Sequence, residues 1–523
     1  MVNIKLITMK KIFIYITFVS GLLLTSCDSD LLTPFTPGSL TEETAITQSS
    51  DLQKLMNSTY NILSDRSEVV FSSVFTDEVG IGYANGGQGL TSEYIFLLIP
   101  SSKTPANIWV NTYSALARAN RVIQYADQII PANTTDAALI SKLKAEALTI
   151  RAYGHLKILS YYSPNPKDDN ALAGILANKV FTFDEKENPR VTNGVFYAQI
   201  HKDLDDALLI YNGISNYTAD NKMANKNFAK GLKARAYAYK GDYINAEKWA
   251  DEVINTSQIT LANPVDYRKI FFTDNEPANK EVIFRLKRTP QQNTQLTNLH
   301  NGWCSIAPNI DGSPFYEVSR SLFNLLDQRP TDVRRNVIVA PSSIIDPNYA
   351  TSADYRNSDK LIIQKHGGTE SGSVTAATTS TNGFNNDFKI MRISEMYLIK
   401  AEARANAGDL AGVGLALKPI LDARFGVVQI TPLYSNITAA WADILKERRL
   451  ELAYEGHRFI DIKRLATKAN VTIDRNPADY SSSSSDYPAA NPVNLPNNSY
   501  KFALPIPQDE LNANPGIIQN PGY

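Results

Sequence analysis

Apolar side chains recur at helical spacing over two long parts of this chain and lose that spacing between them. Leu52, Leu55, Met56, Tyr60 and Leu63 form a first stripe at the three- and four-residue intervals of a helix face. Trp109, Tyr113, Leu116, Asn120 and Ile123 form a second, closed by Pro131. The span from Ala138 to Tyr162 carries two stripes, one through Ala145, Leu148, Ala152, Leu156 and Leu159, the other through Leu143, Ala147, Ile150 and Tyr153. A helix apolar on two sides is predicted to lie between neighbours. Val195 to Tyr211 reads as an amphipathic helix, and Phe228 to Tyr239 and Ile244 to Ile254 as a helix pair. From about Asn255 to Phe388 the periodicity fails, and short runs such as Val282-Ile283-Phe284 predict small strands among loops. Val70 to Lys103, centred on GIGYANGGQG, predicts a loop-rich segment with a short hairpin. The stretch 366–386 and the run Ser481 to Ser485 are polar loops.

Within the helical parts one pattern occurs twice. A helix ends in Gly241-Asp242-Tyr243 and a second helix follows; Gly408-Asp409-Leu410 stands at the same place within residues 397–421. Glycine supplies a left-handed turn, and the alanines around it let paired helices approach closely. The order is similar to a tetratricopeptide repeat, although regular 34-residue spacing is absent.

The N-terminus changes the picture of where the protein resides. Lys10 and Lys11 precede 13 uncharged, mostly apolar residues, Ile12 to Leu24. That run is too short for a bilayer of about 30 Å and fits a signal-peptide core. It ends in Leu24-Thr25-Ser26-Cys27, which resembles a bacterial lipobox, with Asp28, Ser29 and Asp30 immediately after. Residues 1–26 are expected to be a lipoprotein signal peptide, Cys27 the lipidated residue, and residues 27–50 a Thr/Ser/Pro-rich tether. Removing residues 1–26 deletes three lysines and no acid, so the net charge moves from −1 to −4. The balance of 52 basic and 53 acidic side chains argues against a nucleic-acid binder. With Cys27 lipidated, Cys304 has no partner and reads as a small buried apolar residue.

Four segments together resemble the SusD/RagB family of Bacteroidetes nutrient-uptake lipoproteins. They are ALTIRAY at Ala147 to Tyr153; Ile390 to Ala403, IMRISEMYLIKAEA; Ile444 to Arg464, ILKERRLELAYEGHRFIDIKR; and the C-terminal Leu504-Pro505-Ile506-Pro507, Glu510, Asn514-Pro515 and Gln519 to Tyr523. The resemblance implies a mainly α fold, a tetratricopeptide-like scaffold of about eight helices with a loop-rich region and a few short strands. Residues 51–254 would be its N-terminal helical region and 255–523 its C-terminal region with loop-rich insertions and final helices. It also implies a cell-surface lipoprotein of the outer membrane that captures a nutrient, a glycan or a peptide, and delivers it without catalysis to a SusC-like TonB-dependent transporter. A secreted glycan-active enzyme and a helical-repeat adaptor without a small ligand stand as alternatives.

Candidate chemistry narrows those readings. Glu447, Glu451 and Glu455 are spaced four apart, but Arg448, Arg449, Arg458, Lys463 and Arg464 surround them, so an ion-paired structural helix is expected rather than a catalytic carboxylate pair. Arg392, Glu395 and Glu402 are expected to tie helices together. The five histidines show no metal spacing, no GxSxG occurs, and Asn309-Ile310-Asp311-Gly312 reads as a turn, so neither a metal nor a cofactor is expected. Ligand contact is assigned to aromatics in loops. A sugar ring stacks its C–H face on an aromatic while polar neighbours bind its hydroxyls. Trp109, Trp249 and Trp441 lie on helical stripes and read as core. Trp303, in HNGWCSIAPNIDG, is the leading exposed candidate, with Tyr83, Tyr94 and Tyr316.

Overall fold

In the computed structural model the described residues are 45–83, 85, 92–182, 184–185, 187–272, 280–288, 299, 302–305, 313–351, 358–366, 387–480 and 491–523. Cys27 and its leader, residues 84 and 86–91 of the GIGYANGGQG segment and its flank, the Asn309-to-Gly312 turn, the side chain of Cys304, residues 367–386 and the serine run 481–485 lie outside them.

α1 (Ser49–Leu63) buries Leu52, Met56, Tyr60 and Leu63, the stripe expected from its spacing. α2 (Ser67–Phe75) and β1 (Val79–Ile81) follow. Both depart from expectation. α2 is a helix built from VVFSSVF, β-branched and aromatic residues of modest helix propensity, held because Val69, Phe71, Val74 and Phe75 are buried. β1 makes no local hairpin and pairs instead with a strand more than 230 residues later.

α3 (Lys103–Ala126) and α4 (Thr134–Tyr162) come next, α4 capped by the Asn133 side chain, which accepts from the Asp136 N–H at 3.0 Å. β2 (Leu172–Ile175) and β3 (Arg190–Thr192) pair antiparallel, then α5 (Asn193–Gly213) begins. α4 packs against α3 on one side and α5 on the other, as its two stripes demand. α6 (Lys226–Lys240) and α7 (Tyr243–Thr256) form the first Gly-Asp helix pair.

The central region holds α8 (Pro264–Phe272), β4 (Val282–Leu286), β5 (Cys304–Ser305), β6 (Ser313–Pro314), β7 (Tyr316–Val318), α9 (Arg320–Asp327), α10 (Val333–Ile338) and β8 (Phe388–Arg392). The strands pair antiparallel in twos: β1 with β7, β4 with β8, β5 with β6. The short helices α8, α9 and α10 were not expected. At nine residues or fewer they are shorter than the window over which helical periodicity can be read.

α11 (Ile393–Asn406), α12 (Leu410–Phe425), α13 (Ile437–Leu452), α14 (Arg458–Ala469) and α15 (Gln508–Ala513) complete the chain. α11 packs on α7 and on α12, so the two Gly-Asp pairs stack on each other. Their turns match closely. Gly241 has φ 89° and Gly408 φ 76°, the left-handed region that favours glycine. Asp242 accepts from the Asn245 N–H at 3.2 Å, and Asp409 from the Gly412 N–H at 2.8 Å. The architecture is a mainly α, tetratricopeptide-like stack with a few short strands. The C-terminal motif closes it. Asn520 Nδ2 donates to the Tyr162 and Leu504 carbonyls at 2.8 and 2.7 Å, and Trp109 Nε1 donates to Glu510 Oε2 at 3.1 Å. Among the described residues, no helix is long and apolar enough to cross a membrane.

The carboxylates of ILKERRLELAYEG lie in an ionic core. Arg424 donates to Glu451 at 2.7 and 2.9 Å and to Glu281 at 2.8 Å. Arg392 reaches Glu281, Glu451 at 2.7 Å and Glu455 at 2.7 and 2.9 Å. Arg334 bridges Asp332, Glu447 and Glu451, and Lys365 holds Glu455 at 2.7 Å. Every one of these side chains is at most 2 % exposed. Burial pushes Glu451 up, but Arg424, Arg392 and Arg334 outweigh it and hold its carboxyl well below the usual range. These acids are ion-paired as expected, but their partners come from other segments. The flanking arginines serve elsewhere: Arg448 and Arg464 bind Glu402, Arg458 binds Asp77, and Glu395 binds Arg235.

Candidate functional site

The four aromatics singled out above converge on one place, the β1–β7 pair. Val79 faces Val318 and Ile81 faces Tyr316 across it. The Trp303 carbonyl accepts from the N–H groups of Phe315 and Tyr316 at 2.9 Å each, which sets Trp303 beside β7. The exposed position expected for Trp303 is not found: its side chain is 0 % exposed, in edge contact with Tyr454 at 5.3 Å between ring centroids. Tyr94 and Tyr316 are likewise buried and lie 5.6 Å apart, and Arg475 stacks 4.2 Å from the Tyr94 ring centre. A Gly/Asn-rich sequence marks a loop, and here the loop folds its large apolar ring inward, which is the cheaper place for it. These three rings are the framework beneath a surface. Trp109 and Trp441 are core, as expected, but Trp249 is only half-buried, with Lys233 Nζ 4.5 Å from its ring centre.

Tyr83 alone of the four stands at the rim, half-buried. Its N–H donates to Glu317 Oε1 at 2.7 Å, and Glu317 Oε2 accepts from the Leu361 N–H at 2.8 Å. Lys360 Nζ sits 4.2 Å from the Tyr83 ring centre. Arg320, at the start of α9, pairs with Asp359, and its guanidinium lies 3.9 Å from the Tyr349 ring centre. Asp479 accepts the Arg320 N–H at 2.6 Å and the Asn476 N–H at 3.0 Å. Burial pushes its carboxyl up to about 7, against the pull of those two N–H groups. The fit is tight at β1: a Cβ on Gly80 would lie 2.7 Å from Asp479 Oδ1.

Gly80, Tyr83, Glu317, Arg320, Asp359 and Asp479 thus line one small hollow, with Lys360 and Tyr349 beside it. Tyr83, Lys360 and Tyr349 are half-exposed, over a guanidinium and carboxylates that are buried. An aromatic face beside an ammonium suits hydroxyl-rich ligands, since the ring stacks on C–H faces and the cation donates to ring and hydroxyl oxygens. Each carboxylate is already engaged by a backbone N–H or by Arg320, which fixes its direction. Apart from Tyr83, none of these residues was singled out from the sequence. Arg320, Lys360 and Asp359 sit outside any motif and meet Tyr83 only through the β1–β7 pairing. No group of three or more His, Cys, Asp or Glu side chains among the described residues is placed to hold a metal ion.

Comparison with known proteins gives the fold a context. A family model described as the SusD family matches residues 199–523, and one described as starch-binding associating with outer membrane matches residues 39–238. SusD-like protein P2 of Formosa agariphila is 23 % identical over 535 aligned positions, covering 97 % of this chain and 99 % of that protein. A putative sugar binding protein from Bacteroides vulgatus superposes with a TM-score of 0.71 at 22 % identity, over 92 % of this chain and all of its own. A laminarin binding SusD-like protein superposes with a TM-score of 0.63 at 21 % identity, over 91 % of this chain and all of its own.

Proposed function

This chain belongs to the SusD family, and from that premise we propose that it is a surface lipoprotein that captures a glycan and hands it, uncleaved, to a SusC-like TonB-dependent transporter. In this reading residues 1–26 are the leader, Cys27 carries the lipid and residues 27–50 are the tether. Residues 51–254 and 255–523 are the two parts of the body. The observation that carries the glycan assignment is the rim around Tyr83, where an aromatic ring stands beside Arg320, Lys360 and Asp359. Tyr83 supplies the stacking face. The buried Trp303, Tyr94 and Tyr316 act by holding β1 and β7 in place, not by touching ligand.

The test uses laminarin and amylose with the full-length protein. Tyr83→Ala should weaken binding of the preferred glucan by about tenfold, near 1.4 kcal/mol, with the melting temperature unchanged. Neither polymer should release reducing ends. Reducing ends that do appear, and that vanish in Asp359→Asn, make the protein an enzyme and end this reading. Mass spectrometry of the mature N-terminus checks the anchor, which requires a diacyl- or triacyl-Cys27. Co-purification from outer membranes checks the transporter.

A further inference from the structure

A second concavity, on different elements from the Tyr83 rim, has a different chemistry. It is a groove of about 640 Å³ formed where the α5–α6 connection meets β4 and the segment following α7. Asp220, Asn221, Lys222 and Asn227 line one side, Gln258 another, and Lys280, Arg285 and Lys287 a third. Its charges are four cations to one acid, in a chain whose totals are 52 and 53.

Three of the four cations have no acid partner among the described residues. Arg285 pairs with Asp387 at 3.1 Å. Lys222, Lys280 and Lys287 are exposed and have no ion-pair partner among the described residues. Some lysines elsewhere do pair with acids: Lys202 with Asp206 at 2.6 Å, Lys230 with Glu252 at 2.7 Å, Lys400 with Asp251 at 2.8 Å. Like charges gathered around one hollow raise the local potential, which an anion lowers.

The groove is also built in advance. Asn225, 2 % exposed, donates to the carbonyls of Ile283 at 2.9 Å, Asp220 at 3.0 Å and Met223 at 3.1 Å, and accepts from the Asn227 and Phe228 N–H groups at 3.0 Å. The Arg285 N–H donates to the Asn221 carbonyl at 2.8 Å, tying the connection to β4. Gln258 is held at φ 61°, a left-handed conformation that a non-glycine residue adopts at a cost. The N-terminus of the 15-residue α6 opens at the groove and adds the positive end of its dipole. A fixed floor, amide side chains and three ammonium groups with no acid partner among the described residues match an extended, hydroxylated ligand that carries negative groups.

We propose that this groove is a second glycan subsite, selective for polysaccharide segments bearing carboxylate or sulfate groups. The proposal rests on the glycan-binding reading above and assigns it a substrate class.

The experiment measures binding of polygalacturonate, dextran sulfate and neutral laminarin by the full-length protein and two variants. In one, Lys222, Lys280 and Lys287 are all replaced by Ala; in the other, all three are replaced by Arg. At least one anionic polymer should bind the wild type and lose about tenfold or more in the Ala variant. The Arg variant should retain that binding, and raising salt from about 50 to about 200 mM should weaken it. Laminarin binding should not change. The polyuronate and the sulfated polymer separate the two sources of charge. If the anionic polymers bind wild type and Ala variant equally, or do not bind while laminarin does, the groove proposal falls and the glycan reading stands. If no polymer binds at all, both fall.

Discussion

Two clusters of basic side chains in this protein are built on opposite rules. In the ionic core Arg334, Arg392, Arg424 and Lys365 share Asp332, Glu281, Glu447, Glu451 and Glu455, with almost no exposure. In the groove Lys222, Lys280 and Lys287 are exposed and make no ion pair among the described residues. The difference follows from solvation. A cation withdrawn from water survives only when carboxylates and carbonyls replace its hydration, so burial and pairing come together. A cation left in water needs no partner, and three left so around one hollow retain their full attraction for an incoming anion. The first arrangement joins β4's neighbour Glu281, β8, α12 and α13 into one body; the second leaves binding capacity unspent.

The strongest way to break the contrast is to remove one core arginine. Arg424→Met keeps most of the side-chain volume but strips Glu451 and Glu281 of one of the two arginines they share and the Ala262 carbonyl of its bond at 3.0 Å. It also loses the guanidinium 3.9 Å from the Tyr267 ring centre. Two buried carboxylates are then under-compensated, and a loss of about 3–5 kcal/mol is expected. Urea unfolding followed by circular dichroism measures it. A loss below about 1 kcal/mol would mean the core is wetter than its burial indicates.

Acid gives a second, smaller handle on the same charges. Arg392 and Lys365 hold Glu455 down to about 2 against the opposing effect of burial, and Arg235 does the same for Glu395. A carboxylate whose folded value lies below its unfolded value stabilises the fold above the unfolded value, about 4.3. That stability is lost as pH falls through the folded value. Burial holds His155 neutral down to about 3, aided by Arg151. The unfolded chain takes up that proton first, near pH 6.5, so His155 also disfavours the fold as pH falls. All these groups act in the same direction below about pH 4, and unfolding should be steep between there and pH 2. A flat fluorescence signal from pH 5 to pH 2 contradicts the assignment.

How much of this was readable in advance divides along the same line. α1, the two stripes of α4, and the Gly241-Asp242 and Gly408-Asp409 turns were legible because they are local: spacing, a left-handed glycine and a capping aspartate lie within a few residues. The ionic character of Glu447, Glu451 and Glu455 was legible from composition, but not their partners, because Arg392, Arg424 and Arg334 arrive from other elements. The rim was legible only as four aromatics near loops. Which one faces outward depends on the pairing of Ile81 with Tyr316, and a two-stranded contact across more than 230 residues leaves no periodic trace. Trp249 was misread for the opposite reason: a helical stripe marks the inner face only to within a residue or so, and Trp249 sits at its margin.

The smallest effect expected sharpens the contrast from the other side. Replacing Lys222, Lys280 and Lys287 together by Ala should leave stability within about 0.5 kcal/mol of wild type, with any change towards greater stability. These lysines make no ion pair among the described residues and the groove floor is held by Asn225 and by the Arg285–Asn221 backbone bond. Removing them deletes like-charge repulsion without opening a cavity or orphaning an acid. Because that repulsion acts through water and is screened over roughly 8–10 Å at ordinary salt, the gain should be visible only at low ionic strength. Paired urea titrations at low and high salt measure it. A loss of more than about 1 kcal/mol would show that the lysines hold structure as the core arginines do, and the distinction between the two clusters would collapse.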